Sequence, residues 1–326
     1  MGQLAVRQSV SRPRTIRISF GESGDRARSP MSLLQIEPAS SPAPRQPLVH
    51  LDALWLQVAG TVCNLRCTHC FVSCGPANHS HTLMSRDEVR AHVEDALALG
   101  VRELYFTGGE PFLHPEMSAI MDDCLPLLPC TVLTNGTLFT PGRLAALARA
   151  SEGSRHSLEL RVSLDGWKAE DHDRLRGEGT FERTLAGLVA ADRAGLVPIV
   201  AVTHAIDEDT DALVGRYQEL LRGVGIARPR LKLVPLFRLG REAMRARSYE
   251  EPETLIGLSD EALDPERLQC GHSRAVTTRG VYVCPLLVEE PRAHMGARLT
   301  DALGSFPLFH GACFTCHRTG MTCANH

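Results

Sequence analysis

From Leu54 onward, short apolar runs rich in strand-forming residues alternate with amphipathic stretches, and this alternation limits the chain to one kind of architecture. The strand candidates are LWLQVAG from Leu54, ELYFTGG from Glu103, TVLTNG from Thr131, LELRVSLDG from Leu158, PIVAVTH from Pro198 and RLKLVPLF from Arg230. Between the first two, Ser85 opens a capping box closed by Glu88. Val89, Val93, Ala96 and Leu97 then share one apolar face that stops at Gly100. Further helices are expected over residues 115–128, 141–150, 181–194 and 209–221. Strands separated by helices pair in parallel, so the repeat predicts an α/β fold, a partial (β/α)6 TIM-like barrel.

The flanks differ from this core. Residues 1–47 are rich in Arg, Ser and Pro, with PASSPAPRQP as the clearest low-complexity piece, and read as a disordered arm; Met31 offers an alternative start. After Arg245 the alternation ends. The expected organisation is therefore an arm at 1–47, a core barrel at 48–245, and at 246–326 an irregular connector followed by a small Cys-rich C-terminal extension.

With 22% charged residues and a net charge of −3, the chain has no electrostatic footprint for nucleic acid or an anionic membrane. No apolar run approaches the ~18 residues that span a bilayer, and the N-terminus lacks the order of a secretory signal, so a cytoplasmic location is expected. In that reducing compartment, eleven clustered cysteines argue for metal or redox-cofactor ligation over disulfides. Cys124 and Cys130 stand apart from the clusters and read as small buried apolar residues.

Chemistry in parallel barrels collects where strands end and loops begin, and the motifs fall there. TVCNLRCTHCF sets Cys63, Cys67 and Cys70 at C-x3-C-x2-C after the first strand. Three thiolates in one short loop can wrap a cuboidal iron-sulfur cluster and leave one iron open to a small chelator. A zinc knuckle on Cys63, Cys67, Cys70 and Cys74 is the competing reading. After the second strand comes GGEP, Gly108 to Pro111, whose glycines let backbone approach a ligand and whose carboxylate suits an amine. TNG with Asn135 ends the third strand, and SLDG with Ser163 and Asp165 the fourth; both are also readable as plain turns.

C-x3-C-x2-C after the first strand and GGEP after the second together resemble the radical S-adenosylmethionine (SAM) enzymes, over about residues 54–240. The resemblance implies that Cys63, Cys67 and Cys70 hold a [4Fe-4S] cluster whose fourth iron is chelated by SAM. An electron from a partner such as flavodoxin or ferredoxin then breaks a carbon-sulfur bond in SAM, and the 5'-deoxyadenosyl radical abstracts hydrogen from substrate. It also implies that Gly108, Gly109, Glu110 and Pro111 face the methionyl amine and that His69 lies beside adenine. Ser163 and Asp165 become candidates for the SAM carboxylate and ribose, with Asn135 a further cofactor-binding candidate.

In the extension, CGHSRAVTTRGVYVCP carries a hairpin signal, Gly280 with alternating Val281 and Val283, that folds Cys284 back towards Cys270. CFTCHRTGMTCANH follows. This layout resembles the SPASM and shorter twitch extensions of radical SAM enzymes, which hold auxiliary iron-sulfur clusters. The full SPASM pattern has more cysteines, so the resemblance implies one auxiliary [4Fe-4S] cluster on Cys270, Cys284, Cys313 and Cys316, with Cys323 the principal substitute. A zinc site on Cys313, Cys316, Cys323 and His326 is a rival. CFTCH is also formally a c-type haem attachment motif, but such attachment belongs to exported proteins. Some relatives carry an acidic base directly after the second tail cysteine. Pro285 stands there, leaving Glu289, Glu290 and Asp165 as unselected substitutes. His79, His81, His114, His204 and His272 read as surface or supporting residues.

The expected reaction is hydrogen-atom abstraction from a peptide or small-molecule substrate. The alternative from another class is a non-catalytic iron-sulfur or zinc sensor of redox state or metal.

Overall fold

The computed structural model describes residues 43–204 and 209–320. Its elements in chain order begin with β1 (Arg45–Gln46), β2 (Ala53–Leu56), α1 (Arg86–Ala98), β3 (Glu103–Phe106), α2 (Met117–Cys124), β4 (Cys130–Thr134) and α3 (Pro141–Glu152). They continue with β5 (Leu158–Ser163), α4 (Ala169–Arg176), α5 (Thr180–Arg193), β6 (Ile199–His204), α6 (Thr210–Gly223), β7 (Arg230–Pro235) and α7 (Gly240–Arg245). The extension adds β8 (Ser273–Thr277), β9 (Gly280–Tyr282), β10 (His294–Gly296), β11 (Phe306–Pro307) and α8 (Gly311–Thr319).

All six expected strands form, and β2 to β7 lie side by side in chain order, every pair parallel. The sheet stays open, running β10-β9-β8-β2-β3-β4-β5-β6-β7, as a partial barrel rather than a closed one. Side chains alternate across it. Leu54, Leu56, Leu104, Phe106 and Leu160 point outward into a core with Val89, Val93, Ile120 and Leu147 of the helices. Val162, Val200 and Val202 do the same against Leu188, Leu213 and Tyr217. Ala53, Trp55 and Tyr105 point inward and share a second core with the cysteines of both segments. One face thus serves helix packing, and the other is left for chemistry.

Helix α1 starts as expected: the Ser85 hydroxyl accepts from Glu88 N at 3.2 Å, and Glu88 accepts from Ser85 N at 2.7 Å. Helices α4, α7 and α8 were not expected. The segment AEDHDRLR of α4 has no apolar stripe to signal a helix, and only His172 in it is buried. Helix α8 occupies the CFTC segment; His310 caps it by accepting from Ala312 N at 3.0 Å, and Gly320 ends it in the left-handed region at φ 63°.

Two features depart from the expected organisation. The last residues of the presumed arm are structured, because β1 pairs with β11 and Arg45 donates to Ser305 Oγ at 2.9 Å and to its carbonyl at 2.8 Å. Residues 1–42 lie outside the described residues. The extension is also continuous with the barrel sheet: β8 pairs parallel to β2, with β9 and β10 following antiparallel. Val276, Val281, Leu299 and Ala302 accordingly enter the same core as Leu54 and Leu56. Cys124 and Cys130 are buried in that core. Among the described residues, no helix is long and apolar enough to cross a membrane.

Because the extension and the barrel share one core, Leu299→Ala, at a fully buried site, is expected to cost about 2–5 kcal/mol and to lower a single unfolding midpoint followed both by far-UV circular dichroism and by tryptophan fluorescence. Separate transitions for the two parts, with only one of them moved, would contradict the shared core.

Candidate functional site

The C-terminal ends of β2 to β7 surround a chamber of about 210 Å³. Cys67, His69 and Cys70, Gly108, Ser163 and Asp165, and Arg176 of α4 line it; Trp55, Gln57, Leu133, Arg161 and Thr203 continue the wall along the strands. Phe237, Pro285, Leu286 and Val288 form an apolar side.

The loop that carries the three cysteines is buried yet irregular, so its backbone groups need partners from elsewhere. Cys63 N donates to Gly75 O at 3.3 Å and Thr68 N to Leu175 O at 2.7 Å, while Val62 O accepts from Glu110 N at 3.0 Å. The largest share comes from α7. Arg241 donates from Nε to Cys67 O at 2.7 Å, from Nη1 to Ser73 O at 2.8 Å, from Nη2 to Cys74 O at 2.6 Å and from its backbone N to Cys70 O at 3.1 Å. Gly240 allows this approach: a Cβ there would lie 2.5 Å from Phe71 O and 2.8 Å from Cys70 O.

The thiols meet donors. Leu65 N lies 3.4 Å from Cys63 Sγ, Asn135 Nδ2 lies 3.9 Å from the same sulfur, and Arg176 Nη1 lies 4.0 Å from Cys67 Sγ. Burial pushes the Cys63 thiol up to about 12 and raises Cys67 as well, so only a strong electrophile keeps them as thiolates. A hydrogen bond from Cys74 pulls Cys70 down instead. These donors and this desolvation suit a cluster that takes deprotonated sulfur. Among the described residues no group of three or more His, Cys, Asp or Glu is set to hold a single metal ion.

Gly109 and Glu110 of GGEP make close contacts with the cysteine loop and the end of β4. A Cβ on Gly109 would fall 2.0 Å from Val62 O, so the glycine exists to let the cysteine loop press against this turn. Glu110 is fully buried, and its carboxylate accepts from Phe112 N at 3.0 Å, Thr134 Oγ1 at 2.7 Å and Asn135 N at 2.8 Å. Burial raises its pKa in spite of these three bonds. Pro111 opens the short turn Pro111–Leu113. Asn135 bridges from Thr137 N at 2.9 Å to Asn64 Oδ1 at 2.9 Å. Of the GGEP residues, Gly108 alone lines the chamber; Gly109, Glu110 and Asn135 instead contact the cysteine loop.

Asp165 is also more engaged than its turn position suggested. Its Oδ2 contacts His69 Nε2 at 2.8 Å and accepts from Arg176 Nε at 2.6 Å, and its Oδ1 accepts from Thr203 N at 2.9 Å. Burial opposes its charge, but Arg176 and His69 outweigh that and hold its pKa well below the usual carboxylate range. Sequence reasoning missed Arg176 and Arg241. Both lie in charged stretches that look like solvated helix, and the only available signal was Arg176 ahead of the Gly177 helix stop. Glu289 and Glu290 do not line the chamber: Glu289 accepts from Ser80 Oγ at 2.7 Å, and Glu290 caps the turn Pro291–Ala293.

The extension brings Cys270, Cys284, Cys313 and Cys316 to one small cavity that Leu268, Leu286, Leu287 and Ala312 also line. Cys313 and Cys316 share a face of α8, and the β8–β9 hairpin carries Cys284 back as its Gly280 turn predicted. All four are buried, and burial pushes Cys270 and Cys313 up to about 12. None of the ten described cysteines forms a disulfide. Cys323 and His326 lie outside the described residues.

The structure is an open parallel barrel whose strand ends carry a loop with three cysteines at C-x3-C-x2-C spacing. Residues 58–221 match the radical SAM superfamily model, and the chain belongs to that superfamily and is an enzyme of the radical SAM class. The family implies a [4Fe-4S] cluster and SAM, a reducing partner and a substrate. Among curated proteins, the chain is 37% identical over 145 residues to an AdoMet-dependent heme synthase of Methanosarcina barkeri, covering 43% of this chain and 38% of that one. It is 35% identical over 142 residues to a GTP 3',8-cyclase of Rhodococcus opacus, covering 42% and 39%. The chain thus spans well under half the length of these relatives. The fold is similar to Streptococcus suis SuiB bound to its precursor peptide SuiA, with TM-score 0.60 and 14% identity over 83% of this chain and 71% of that one.

Arg241→Gln is expected to release iron to a chelator about 10-fold faster than wild type, since outer hydrogen bonds to a metal site are commonly worth 10–100-fold in affinity. Arg241→Lys keeps the charge but loses the fork, and is expected to recover little. Chelator-challenge kinetics on anaerobically loaded protein check both.

Proposed function

We propose that this chain is a SAM-cleaving radical oxidoreductase or maturase that abstracts hydrogen from a peptide or small-molecule substrate. The observation that carries the reading is the meeting of Cys67, Cys70, His69, Ser163, Asp165 and Arg176 around one chamber. In this reading residues 48–245 form the catalytic core and 246–326 a SPASM- or twitch-like extension. Cys63, Cys67 and Cys70 hold the [4Fe-4S] cluster, and Cys270, Cys284, Cys313 and Cys316 hold one auxiliary cluster. Bound cluster and SAM together supply reductive carbon-sulfur cleavage and a hydrogen-abstracting 5'-deoxyadenosyl radical.

The chain's own groups do the rest. Arg176, charged and buried beside Cys67, is the donor for the SAM carboxylate, with Ser163 next to it. Asp165 fixes the Arg176 fork and orients the His69 ring, whose buried Nδ1 has no partner among the described residues and would face adenine. Gly108 presents backbone to the methionyl end. Glu110 and Asn135 act through the loop they anchor. Phe237, Leu286 and Val288 exclude water, which keeps a radical from being quenched. A flavodoxin or ferredoxin is the proposed electron donor, and a SuiB-like fold favours a peptide as one substrate class.

Anaerobic reconstitution is expected to load about eight irons per chain, falling to about four when Cys63, Cys67 and Cys70 are replaced together. With reductant and SAM, the wild type should release 5'-deoxyadenosine, and Cys70→Ala should abolish it. Intact clusters without SAM cleavage would favour the sensor instead. In protein lacking the three barrel cysteines, Cys270→Ala should lose the remaining iron and Cys323→Ala should keep it. Auxiliary iron retained in both Cys270→Ala and Cys284→Ala would sink the ligand set.

A further inference from the structure

Four residues after Cys270, the strand β8 carries Arg274, which pairs in register with Leu54 of β2 and is fully buried. Its guanidinium directs every nitrogen at backbone. Nε donates to Ala302 O at 2.7 Å, Nη1 to Cys270 O at 2.6 Å and to Ser273 O at 2.7 Å, and Nη2 to Gly304 O at 3.0 Å. These carbonyls belong to three pieces of the extension: the short turn Gln269–Gly271 that holds Cys270, the start of β8, and the turn Leu299–Ala302 with the residues that follow it. The charge is therefore held in one place, immediately behind the backbone of a cysteine.

Carbonyl oxygens satisfy the donors of a guanidinium but supply no net negative charge. Arg176, buried beside Cys67, has the Asp165 carboxylate at 2.6 Å. Arg274 forms no ion pair with an Asp or Glu among the described residues, and the ionisable groups that act on its charge are the sulfurs of Cys270 and Cys284. A guanidinium keeps its proton inside proteins, and a buried cation without a countercharge is strongly unfavourable. The missing anion therefore has to come from the cysteine side. Cys270 and Cys284 converge there with Cys313 and Cys316 on one small cavity. Four thiolates around a four-iron cluster make a group whose net charge is negative and becomes more so by one unit on reduction.

We propose that Arg274 is the built-in countercation of the four-cysteine site: it pins the Cys270 backbone and, by favouring the more negative reduced state, raises the reduction potential of the auxiliary cluster. The proposal rests on Cys270, Cys284, Cys313 and Cys316 holding that cluster. Arg274 acts through Cys270 and is a positioning residue. Net charge, hydrogen bonding and burial are the means by which a protein sets the potential of such a site. Here burial also lowers the local dielectric, which strengthens the field of a charge that three turns of backbone prevent from moving. One short segment thus delivers both a ligand and the charge that offsets it.

The test uses full-length protein in which Cys63, Cys67 and Cys70 are replaced together, so that the cluster of the extension is observed by itself. The protein is loaded anaerobically and titrated with reductant, and the reduced state is read by electron paramagnetic resonance. Arg274→Gln keeps a polar side chain without the charge. It is expected to make the reduced state about tenfold less populated at a given potential, which for one electron is a midpoint about 59 mV lower. Arg274→Lys keeps the charge but loses most of the fork, and is expected to stay near the parent midpoint. A merely structural arginine predicts instead that Lys and Gln are equally impaired. An unchanged or higher midpoint in Arg274→Gln, equal shifts in the two variants, or a parent that loads iron when neither variant does overturns the proposal. Where Arg274→Gln takes up no iron, Arg274→Lys decides: the parent midpoint supports the countercation, and a shifted one overturns it. A parent that loads no iron refutes the cysteine ligand set itself, and the role of Arg274 with it.

Discussion

An irregular loop buried inside protein must have its backbone hydrogen bonds supplied by side chains and distant strands, and residues 60–75 impose that demand on everything around them. The rest of the site can be understood as the answer. Gly109 gives up its side chain so that Val62 can approach, Glu110 N meets Val62 O, and Arg241 satisfies three carbonyls from the far side. With its carbonyls directed outward, the loop can turn its sulfurs towards the strand ends, where Asn135 and Arg176 supply donors. The same demand explains why GGEP and TNG follow adjacent strands: Glu110 ties Thr134 and Asn135 to the turn that the loop rests on.

A second constraint is the buried charge of Asp165. A carboxylate without partners at this depth would take up a proton; instead Arg176, His69 and Thr203 N surround it. Three separate segments, the cysteine loop, α4 and β6, are thereby locked to the end of β5. The strand-end part of the chamber is preorganised by this pairing, whereas its wall along the strands is held by Trp55 stacked on Tyr105 and by the Arg161 guanidinium. Polar and aromatic packing divide the chamber between them.

Much of this was legible in the sequence. Six strands stood out because each carries outward residues such as Leu54, Leu56, Leu104 and Leu160 that must be buried, and short spacing made the cysteine loop unmistakable. The Gly280 hairpin and the convergence of Cys270 with Cys284 were legible for the same local reason. What stayed hidden was tertiary. Arg241 meets Cys67 from 174 positions away, and nothing near it marks the contact. Arg176 closes a helix with no apolar stripe, and Glu110 gave no sign that its oxygens would be spent on neighbouring strands. The pairing of β8 with β2 was equally invisible, because strand order is a property of the assembled sheet.

That last pairing has a consequence for the order in which the molecule can be made. Strand β2 needs β3 on one side and β8 on the other, yet Leu56 and its partner Val276 are separated by almost the whole barrel. A nascent chain therefore presents one open edge of β2, next to reactive thiols, until the extension leaves the ribosome, a wait of about ten seconds or more at ordinary synthesis rates. During that interval the cysteine loop also lacks Arg241, which emerges late. The edge of β2 is thus covered, and the backbone of the cysteine loop fully paired, only after synthesis of the extension.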